Sequence, residues 1–389
     1  MNEPIQGFVL RSVLGAGGGA EKIILRTVPL IDPSQCEIMV CGIHRTGDAD
    51  YDFGQRCKKL AIDYREVEQK SVFDPLVWSQ LRDIFAEKKY DFIHAHDYKA
   101  VYYARKLASH FDIPSIATLH GWTGYSWKER FLYYPLERKL LRSFDRVLAV
   151  SNQIRDTYIN SGGDPKRVHV ILNGISPGIF RRNPQEIAKA RLQLQVSPDD
   201  ILLLGLGRLE QQKRFDVLLQ TMNLLRSQDK TNFVLVIAGE GSLKEYLQRH
   251  IDKYDLGNCC RLIGHCSDAK LLYHAADMLV QSSDYEGTPT VVVEAMAMEL
   301  PIVATDVGGT AELMHDQVHG RIVPRRNPQA LADAINETLN DQQTTSRYVQ
   351  AARERAEKEL SFASRTEQLL SHFQSQVASD NQNPADLRS

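Results

Sequence analysis

Short apolar runs recur along this chain at intervals of roughly 20 to 35 residues, and the segments between them repeat apolar positions with a helical period. Six runs fall in the first half, at residues 8–13, 37–43, 92–96, 115–119, 146–150 and 168–172. Six more follow at 201–205, 233–238, 261–264, 278–282, 302–305 and 320–323. Alternation of this kind predicts parallel βαβ units and an α/β fold. Twelve strands in one open sheet would be unusual, so two doubly wound sheets are the simpler expectation. A chain of 389 residues has ample length for two separate cores. The Pro-, Gly- and Arg-rich stretch Ser176-Pro177-Gly178-Ile179-Phe180-Arg181-Arg182-Asn183-Pro184 is the predicted join, dividing 1–180 from 181–361. The polar tail 378–389 lacks an apolar period and is expected to be disordered.

One inter-strand segment carries the most chemistry. Between the runs at 278 and 302 lies Glu286-Gly287-Thr288-Pro289-Thr290, leading through three valines to Glu294. Thr288 suits an N-cap, and Pro289 suits a first helical turn. Unpaired N–H groups there would face the loop and suit a phosphate. Glu286 would sit just outside that helix, and Glu294 about a turn and a half inside it. Two carboxylates beside an anion site suggest a ligand rich in hydroxyls, such as a nucleotide sugar. The plainer alternative is that acids near a helix start merely suit its dipole.

Cations appear after the run at 201, in Gly207-Arg208-Leu209-Glu210-Gln211-Gln212-Lys213. A loop leaving the C-terminal end of a strand is where open α/β sheets bind ligands. Arg208 could hold a phosphate in two-pronged fashion and Lys213 could add a point charge, unless both belong to an exposed turn. Glycines stand at two further strand ends, Gly239 with Gly241, and Gly308 with Gly309.

In order, GRLEQQK, AGEG, SSDYEGTPTVVVEAMA, PIVATDVGGTAE and HGRIVP resemble the nucleotide-sugar domain of family 4 retaining glycosyltransferases. The likeness extends to GGGAEKI at 17–23, FIHAHD at 92–97, TLHG at 118–121 and LNGI at 172–175, and so covers most of the chain. It implies a GT-B fold: two Rossmann-like domains facing across a cleft, with the donor held mainly by the C-terminal one. A final helix over about 362–377 would return to the first domain. By the same resemblance Glu294 binds ribose hydroxyls, Glu286 the donor sugar, and Arg208 and Lys213 the diphosphate, assisted by N–H groups around Thr288 and Thr290. Gly18 and Gly19 would allow close approach to the donor, and His120 would contact its sugar from the opposite domain. Retention of configuration is implied in the same way, as is a setting in surface polysaccharide, lipopolysaccharide or glycolipid assembly. Two departures stand out. Pro289 and Arg214 occupy positions where the family usually has glycine.

Other readings remain open in the residues. Gly15-Ala16-Gly17-Gly18-Gly19-Ala20 satisfies a dinucleotide fingerprint, but the second run ends in Arg45 with no acidic residue, leaving only a weak NADP reading. His94 and His96 share one face of a strand end without a third metal ligand nearby in sequence. Asp48-Ala49-Asp50 formally matches a metal-binding D-x-D, yet sits in a polar loop far from the phosphate cations. No cofactor is expected: a phosphorylase would need a Schiff-base lysine for pyridoxal phosphate. A nucleotide-sugar epimerase would need its own acid–base set. A non-catalytic nucleotide-sugar- or glycan-binding protein would be expected to lose the cations or glutamates, all of which are present.

Charge adds one feature. The net charge of −2 hides 26 Lys and Arg against 21 Asp and Glu in residues 1–182, and 21 against 28 in the remainder. Residues 101–182 hold 13 basic and 6 acidic side chains, including Tyr125-Ser126-Trp127-Lys128-Glu129-Arg130-Phe131 and the helix-like segment to Arg142. Basic residues interleaved with aromatics suit a membrane interface, though an ordinary amphipathic helix reads the same. The chain is not basic enough for nucleic acid and shows no recognised module. No apolar run is long enough to span a bilayer, and no signal peptide is read. Cys36, Cys41, Cys57, Cys259, Cys260 and Cys266 lack paired metal spacing and suit reduced thiols of a cytoplasmic protein. The expected partners are a nucleotide-diphosphate sugar, a glycan or lipid-linked acceptor, and an anionic membrane surface on its cytoplasmic side.

Overall fold

The computed structural model describes residues 3–13, 19–71, 74–121, 129–227 and 232–382. The first sheet contains β1 (Ile5–Ser12), β2 (Cys36–Arg45), β3 (Asp63–Gln69), β4 (Phe92–Ala95), β5 (Ser115–Leu119), β6 (Arg146–Ala149) and β7 (Val168–Val170). The second contains β8 (Ile201–Leu206), β9 (Phe233–Ala238), β10 (Cys260–Leu262), β11 (Met278–Gln281), β12 (Ile302–Thr305) and β13 (Arg321–Val323). All pairings are parallel, in the orders β3-β2-β1-β4-β5-β6-β7 and β10-β9-β8-β11-β12-β13. Each order reverses once, between β1 and β4 and between β8 and β11. Those reversals open a crevice at the carboxyl ends of the strands, where doubly wound sheets take ligands.

The apolar runs predict every described strand except β3. Its sequence, Asp-Tyr-Arg-Glu-Val-Glu-Gln, is an edge strand paired only with β2, and only Val67 and Gln69 are buried. An edge strand with a solvated face has no need of a continuous apolar run, and charges there discourage edge-to-edge pairing.

Residues 1–174 with 362–389 form one compact unit and residues 175–361 the other. The division falls after Gly174, six residues before the end of the predicted first domain, because the linker is tied into the second unit. Arg353 donates to the carbonyl of Phe180 at 2.7 Å and to that of Pro177 at 3.4 Å. In the first unit, Phe8, Leu10, Ile93 and Leu107 bury one face of the sheet. The other face includes Val9, Val40, Ile24 and Phe53. The second core gathers Leu203, Leu235, Met278 and Val303 with Leu218 and Met222 of the helix Phe215–Arg226.

The last helix, Phe362–Gln382, belongs to the first unit. Phe373 is 1% exposed and its ring centroid lies 4.3 Å from that of Phe92; Leu369 joins the same cluster. Arg146 donates to the carbonyl of His372 at 3.0 Å and to Ser375 Oγ at 2.6 Å. The helix continues to Gln382, so residues 378–382 are helical where the sequence reading expected disorder. Helical hydrogen bonding carries on past the last core-facing side chain. Residues 383–389 lie outside the described part.

Candidate active site

Two glycines hold the ends of β8 and β9 together. Gly207 has φ +147° and Gly239 has φ +149°, and a Cβ on Gly239 would lie 1.9 Å from the Gly207 carbonyl oxygen. Only glycine fits at 239. The pairing extends into the loop, where Leu209 N–H donates to the Glu240 carbonyl at 2.8 Å. A 3-10 turn, Gln211–Lys213, follows, and Arg214 then adopts the left-handed conformation at φ +49° before the helix Phe215–Arg226. This explains one departure from the family pattern: Arg214 stands where the backbone itself favours glycine. Its guanidinium is paired with Asp216 in two-pronged fashion, at 2.9 Å twice, and with Asp284 at 3.3 Å.

The turn places Lys213 against the loop after β11. Lys213 Nζ lies 2.6 Å from Glu286 Oε1, and both side chains are largely buried. Ser283 Oγ donates to the same carboxylate oxygen at 2.6 Å. Gln212 Nε2 donates to the Tyr285 carbonyl at 2.8 Å and reaches Glu286 Oε2 at 3.4 Å. Ser282 Oγ donates to the Lys213 carbonyl at 2.8 Å, and Asp284 N–H to that of Gln212 at 2.8 Å. The two loops are thus joined through both backbone and side chains. On the far side, Gly309 N–H donates to the Glu286 carbonyl at 3.1 Å, and a Cβ on Gly309 would lie 2.0 Å from the Gly287 oxygen. Arg208, by contrast, is exposed, and among the described residues its guanidinium holds no hydrogen bond or ion pair.

Asp284 anchors this loop from below. It accepts from Arg326 Nε at 2.9 Å and Nη2 at 2.7 Å as well as from Arg214. The Arg326 hydrogen bonds, with the positive charges of Arg214 and Arg326, hold its carboxyl below the usual carboxylate range despite burial.

The helix after the loop starts later than the sequence suggests. It spans Thr290–Ala297, with Pro289 in the N-cap position at φ −70° and ψ 98° and no side-chain cap. Thr288 is therefore not the N-cap, and Pro289 precedes the first turn rather than occupying it. The extended conformation at Pro289 delays helix entry. The N–H groups of Thr290 and Val291 lie in the first turn, where an α-helix offers no internal acceptor. Glu294 is partly exposed in this helix and accepts from the Tyr273 hydroxyl at 2.7 Å. Tyr273 is fully buried; burial, and next the Glu294 charge, push its pKa well above the ordinary value. It therefore stays a donor and fixes the carboxylate.

In the first unit, His120 follows β5 and precedes Gly121, whose φ is +100°. Its Nε2 lies 3.2 Å from His96 Nδ1, and the two rings stack at 5.5 Å. His94 pairs with Thr118 Oγ1 at 2.8 Å. Burial lowers the pKa of His96 and His120 well below the ordinary value, and Arg11 and Arg365 add repulsion. Both rings are neutral at pH 7, and a single N–H between them sets both tautomers. Arg11 is paired with Glu21 at 2.7 Å and with Asp97 at 3.1 Å. Gly19 opens the helix Gly19–Thr27 with nothing within 4 Å of an added Cβ, so packing does not require a glycine there. Gly18 lies outside the described residues. Asp50 is exposed, and its N–H donates to Asp48 within one turn, at 3.3 Å. Among the described residues no three His, Cys, Asp or Glu side chains gather into a metal-binding group.

Sequence reasoning named Lys213 and Glu286, which meet here, but gave no role to Gln212, Ser283, Asp284, Tyr273 or Arg326. Ser283 and Asp284 stand inside a quoted motif, which was the available signal. Tyr273 and Arg326 carried none.

Comparison with known proteins adds the family context. The profile described as glycosyl transferases group 1 matches residues 186–355, and that of glycosyltransferase family 4 matches residues 17–178. An uncharacterized glycosyltransferase of Methanocaldococcus jannaschii is 29% identical over 269 residues, covering 66% of this chain and 68% of the relative. A glycogen synthase of Mycobacterium tuberculosis is 29% identical over 277 residues, covering 68% of this chain but 64% of its own length. The chain thus spans about two thirds of the length of these relatives. Among solved structures, Anabaena HepE in complex with UDP superposes with a TM-score of 0.81 at 22% identity, over 95% of this chain and all of HepE. That likeness is one of fold.

Proposed function

The chain belongs to the group 1 glycosyltransferases of family 4, with the GT-B fold, and we propose that it is a retaining, metal-independent transferase using a UDP- or GDP-sugar. The observation that carries this reading is the Lys213–Glu286 pair at 2.6 Å. It sets a cation and a carboxylate at the ends of β8 and β11, beside the topological switch point and the first turn of Thr290–Ala297. A diphosphate would draw on Lys213 and on exposed Arg208, whose charges oppose the negative charge that develops as the nucleotide leaves. Fixed charge of this kind is commonly the largest contribution to catalysis. The N–H groups around Thr288 and Thr290 would add donors. Glu294, oriented by Tyr273, would accept from ribose hydroxyls, and the second oxygen of Glu286 from those of the donor sugar.

The unit built on β8–β13 would bind the donor, and that built on β1–β7 chiefly the acceptor. His120, neutral and oriented by His96, would contribute a hydrogen bond to the transferred sugar. Open space at Gly19 would let the donor approach the backbone, and Gly18 would serve the same approach by the family resemblance. The acceptor hydroxyl, on a glycan or lipid-linked acceptor, would attack from the leaving-group face, with a phosphate oxygen taking its proton. A uridine donor is favoured by the UDP and UDP-glucose that HepE structures hold. Surface polysaccharide, lipopolysaccharide or glycolipid assembly at the cytoplasmic face of the plasma membrane is the setting we assign. Among the described residues no helix is long and apolar enough to cross that membrane.

The test is nucleotide release from a set of UDP- and GDP-sugars in excess EDTA, with and without hydroxyl acceptors, and NMR of the product's anomeric centre. Acceptor-dependent release with the donor's configuration kept supports the reading. An inverted product, or activity that EDTA abolishes and manganese restores, overturns it.

A further inference from the structure

Lys99 carries a half-buried charge that no carboxylate takes up. It stands in the first turn of the helix Tyr98–Phe111, which follows β4. Its Nζ donates to Gln69 Oε1 at 2.9 Å, a neutral acceptor on a residue only 6% exposed. Among the described residues Nζ is in no ion pair. Asp97, two residues earlier, is already engaged. Its Oδ1 accepts from the Lys99 and Ala100 N–H groups at 2.9 and 3.0 Å. Its Oδ2 accepts from Ser12 N–H at 2.7 Å and pairs with Arg11 at 3.1 Å. Asp74 caps the helix Pro75–Ala86 and takes the N–H groups of Leu76 and Lys70 at 3.0 and 2.8 Å. Burial lowers the Lys99 pKa, although the Asp97 charge works against it.

A second cation lies in register with this contact. Arg45 ends β2 and is paired with Gln69, the last residue of β3. Ile43 and Val67, two residues earlier on each strand, are also paired, and both enter the core that Leu107 of the helix Tyr98–Phe111 joins. Strand periodicity therefore puts Arg45 and Gln69 on that same face. Arg45 is exposed, and among the described residues its guanidinium holds no hydrogen bond or ion pair. Gln69 thus stands between two cations, bonded to Lys99 and opposite Arg45. All three lie at the carboxyl edge of the first sheet, the edge where doubly wound sheets take ligands.

We propose that Lys99 and Arg45 bind a phosphate group carried by the acceptor, with Gln69 holding the ammonium in place. A phosphate monoester has close to two negative charges at neutral pH and matches both cations, whereas a carboxylate would balance only one. The Arg45 fork takes two phosphate oxygens, and Lys99 adds a point charge. A sugar phosphate and a lipid phosphate present this same chemistry. The inference rests on the reading of the β1–β7 unit as the acceptor side and names the group it recognises.

The test reads Lys99 itself. The full chain, with excess UDP and at constant ionic strength, is acetylated by an N-hydroxysuccinimide ester, and each lysine is followed by peptide mass spectrometry. Glucose 1-phosphate should slow acetylation of Lys99 several-fold and saturably, glucuronate less, and glucose not at all. Exposed Lys189 of the second unit should react alike throughout. Farnesyl phosphate in detergent, against detergent alone, is the lipid arm; the phosphate that protects at the lower concentration identifies the source. Arg45→Gln should raise the protecting concentration several-fold, and Lys99→Met should weaken calorimetric binding of that phosphate in the presence of UDP. Acetylation of Lys99 at one rate with glucose, glucose 1-phosphate and farnesyl phosphate would overturn the proposal. So would an Arg45→Gln protein protected as well as the wild type. The wild-type labelling decides the matter even where the Met variant fails to fold. Sugar transfer is not measured, so failure here is distinct from failure of the transferase reading.

Discussion

Lys213 Nζ lies 2.6 Å from Glu286 Oε1, so one ion pair joins two loops 73 residues apart in sequence. The pair neutralises both charges before any ligand arrives, and Ser283 and Gln212 keep the carboxylate from turning away. On the proposed donor reading, Lys213 would gain a second anionic partner when a diphosphate approaches, and Glu286 would keep an oxygen for a hydroxyl.

Glu286→Gln keeps the shape and removes the charge. We expect a folded protein with turnover lowered by about 100-fold or more, the scale on which misplacing a reacting group acts. Loss of the charged hydrogen bond should cost roughly 2 kcal/mol of stability. Steady-state kinetics and urea unfolding check both. Near-normal turnover would remove Glu286 from the catalytic site.

Arg208 and Lys213 should separate in their structural cost but agree in their ligand. Arg208→Ala removes an exposed side chain and should leave stability within about 0.5 kcal/mol. Lys213→Ala strands Glu286 and should cost more. Each should weaken UDP or GDP binding by about 10- to 100-fold, the worth of a charge-assisted hydrogen bond. The free nucleoside should bind almost unchanged. Calorimetric titration measures this, and equal losses for nucleotide and nucleoside would rule out phosphate contacts.

Asp284 offers a test through pH. Arg214 at φ +49° and Arg326 at φ +57° both hold left-handed conformations and both point to this carboxylate. Arg326, then Arg214, lowers the Asp284 pKa. Its stabilisation is therefore complete above the unfolded-state value of about 3.9 and is lost as pH falls through the lower folded value. Asp284→Asn should be less stable by roughly 2 kcal/mol near pH 7. That deficit should shrink as pH falls below about 4. Urea midpoints for both proteins across this range decide it. A deficit that does not change with pH would show that the aspartate acts through shape rather than charge.

These residues also mark where the sequence stops being legible. The buried strands are continuous apolar runs, so β8, β9, β11 and β12 can be read directly. The edge strand β3 buries two side chains and leaves no such run. At the site, Gly239, Lys213 and Glu286 carry signals because a close backbone approach needs glycine and a phosphate needs cations. Tyr273 and Arg326 act through contacts that only the folded sheet creates, and nothing local distinguishes them from core and surface residues. The helix start was misplaced for a local reason. Pro289 is equally at home in the first turn and in the extended residue before it, and only the observed ψ of 98° separates the two.

The basic, aromatic segment of the first unit leads to the last prediction. Residues Glu129–Tyr133 form a π-turn that leads into the helix Tyr134–Leu141. Leu141 is buried, whereas Phe131 is 68%, Leu132 53% and Leu136 47% exposed. Trp127 and Lys128 lie outside the described residues. The Tyr98 and Tyr133 rings stack at 4.9 Å with planes 4° apart, tying the turn to the helix Tyr98–Phe111. Three large apolar side chains in one short surface segment are more than scattered exposure explains. They stand beside exposed Lys139, in the region holding 13 basic and 6 acidic residues. Each basic residue near an anionic surface contributes about 1 kcal/mol, screened by salt. Three or four would hold the protein reversibly, and insertion of Phe131, Leu132 and Leu136 would add burial. Liposome co-sedimentation should therefore require anionic lipid, weaken as salt rises, and fall for Lys128→Glu/Arg130→Glu/Lys139→Glu. Phe131→Ser/Leu132→Ser should weaken it too, but with the salt dependence kept, since it removes insertion and not charge. A wild-type protein that ignores anionic vesicles at low salt would make the segment an ordinary surface helix and favour a soluble acceptor.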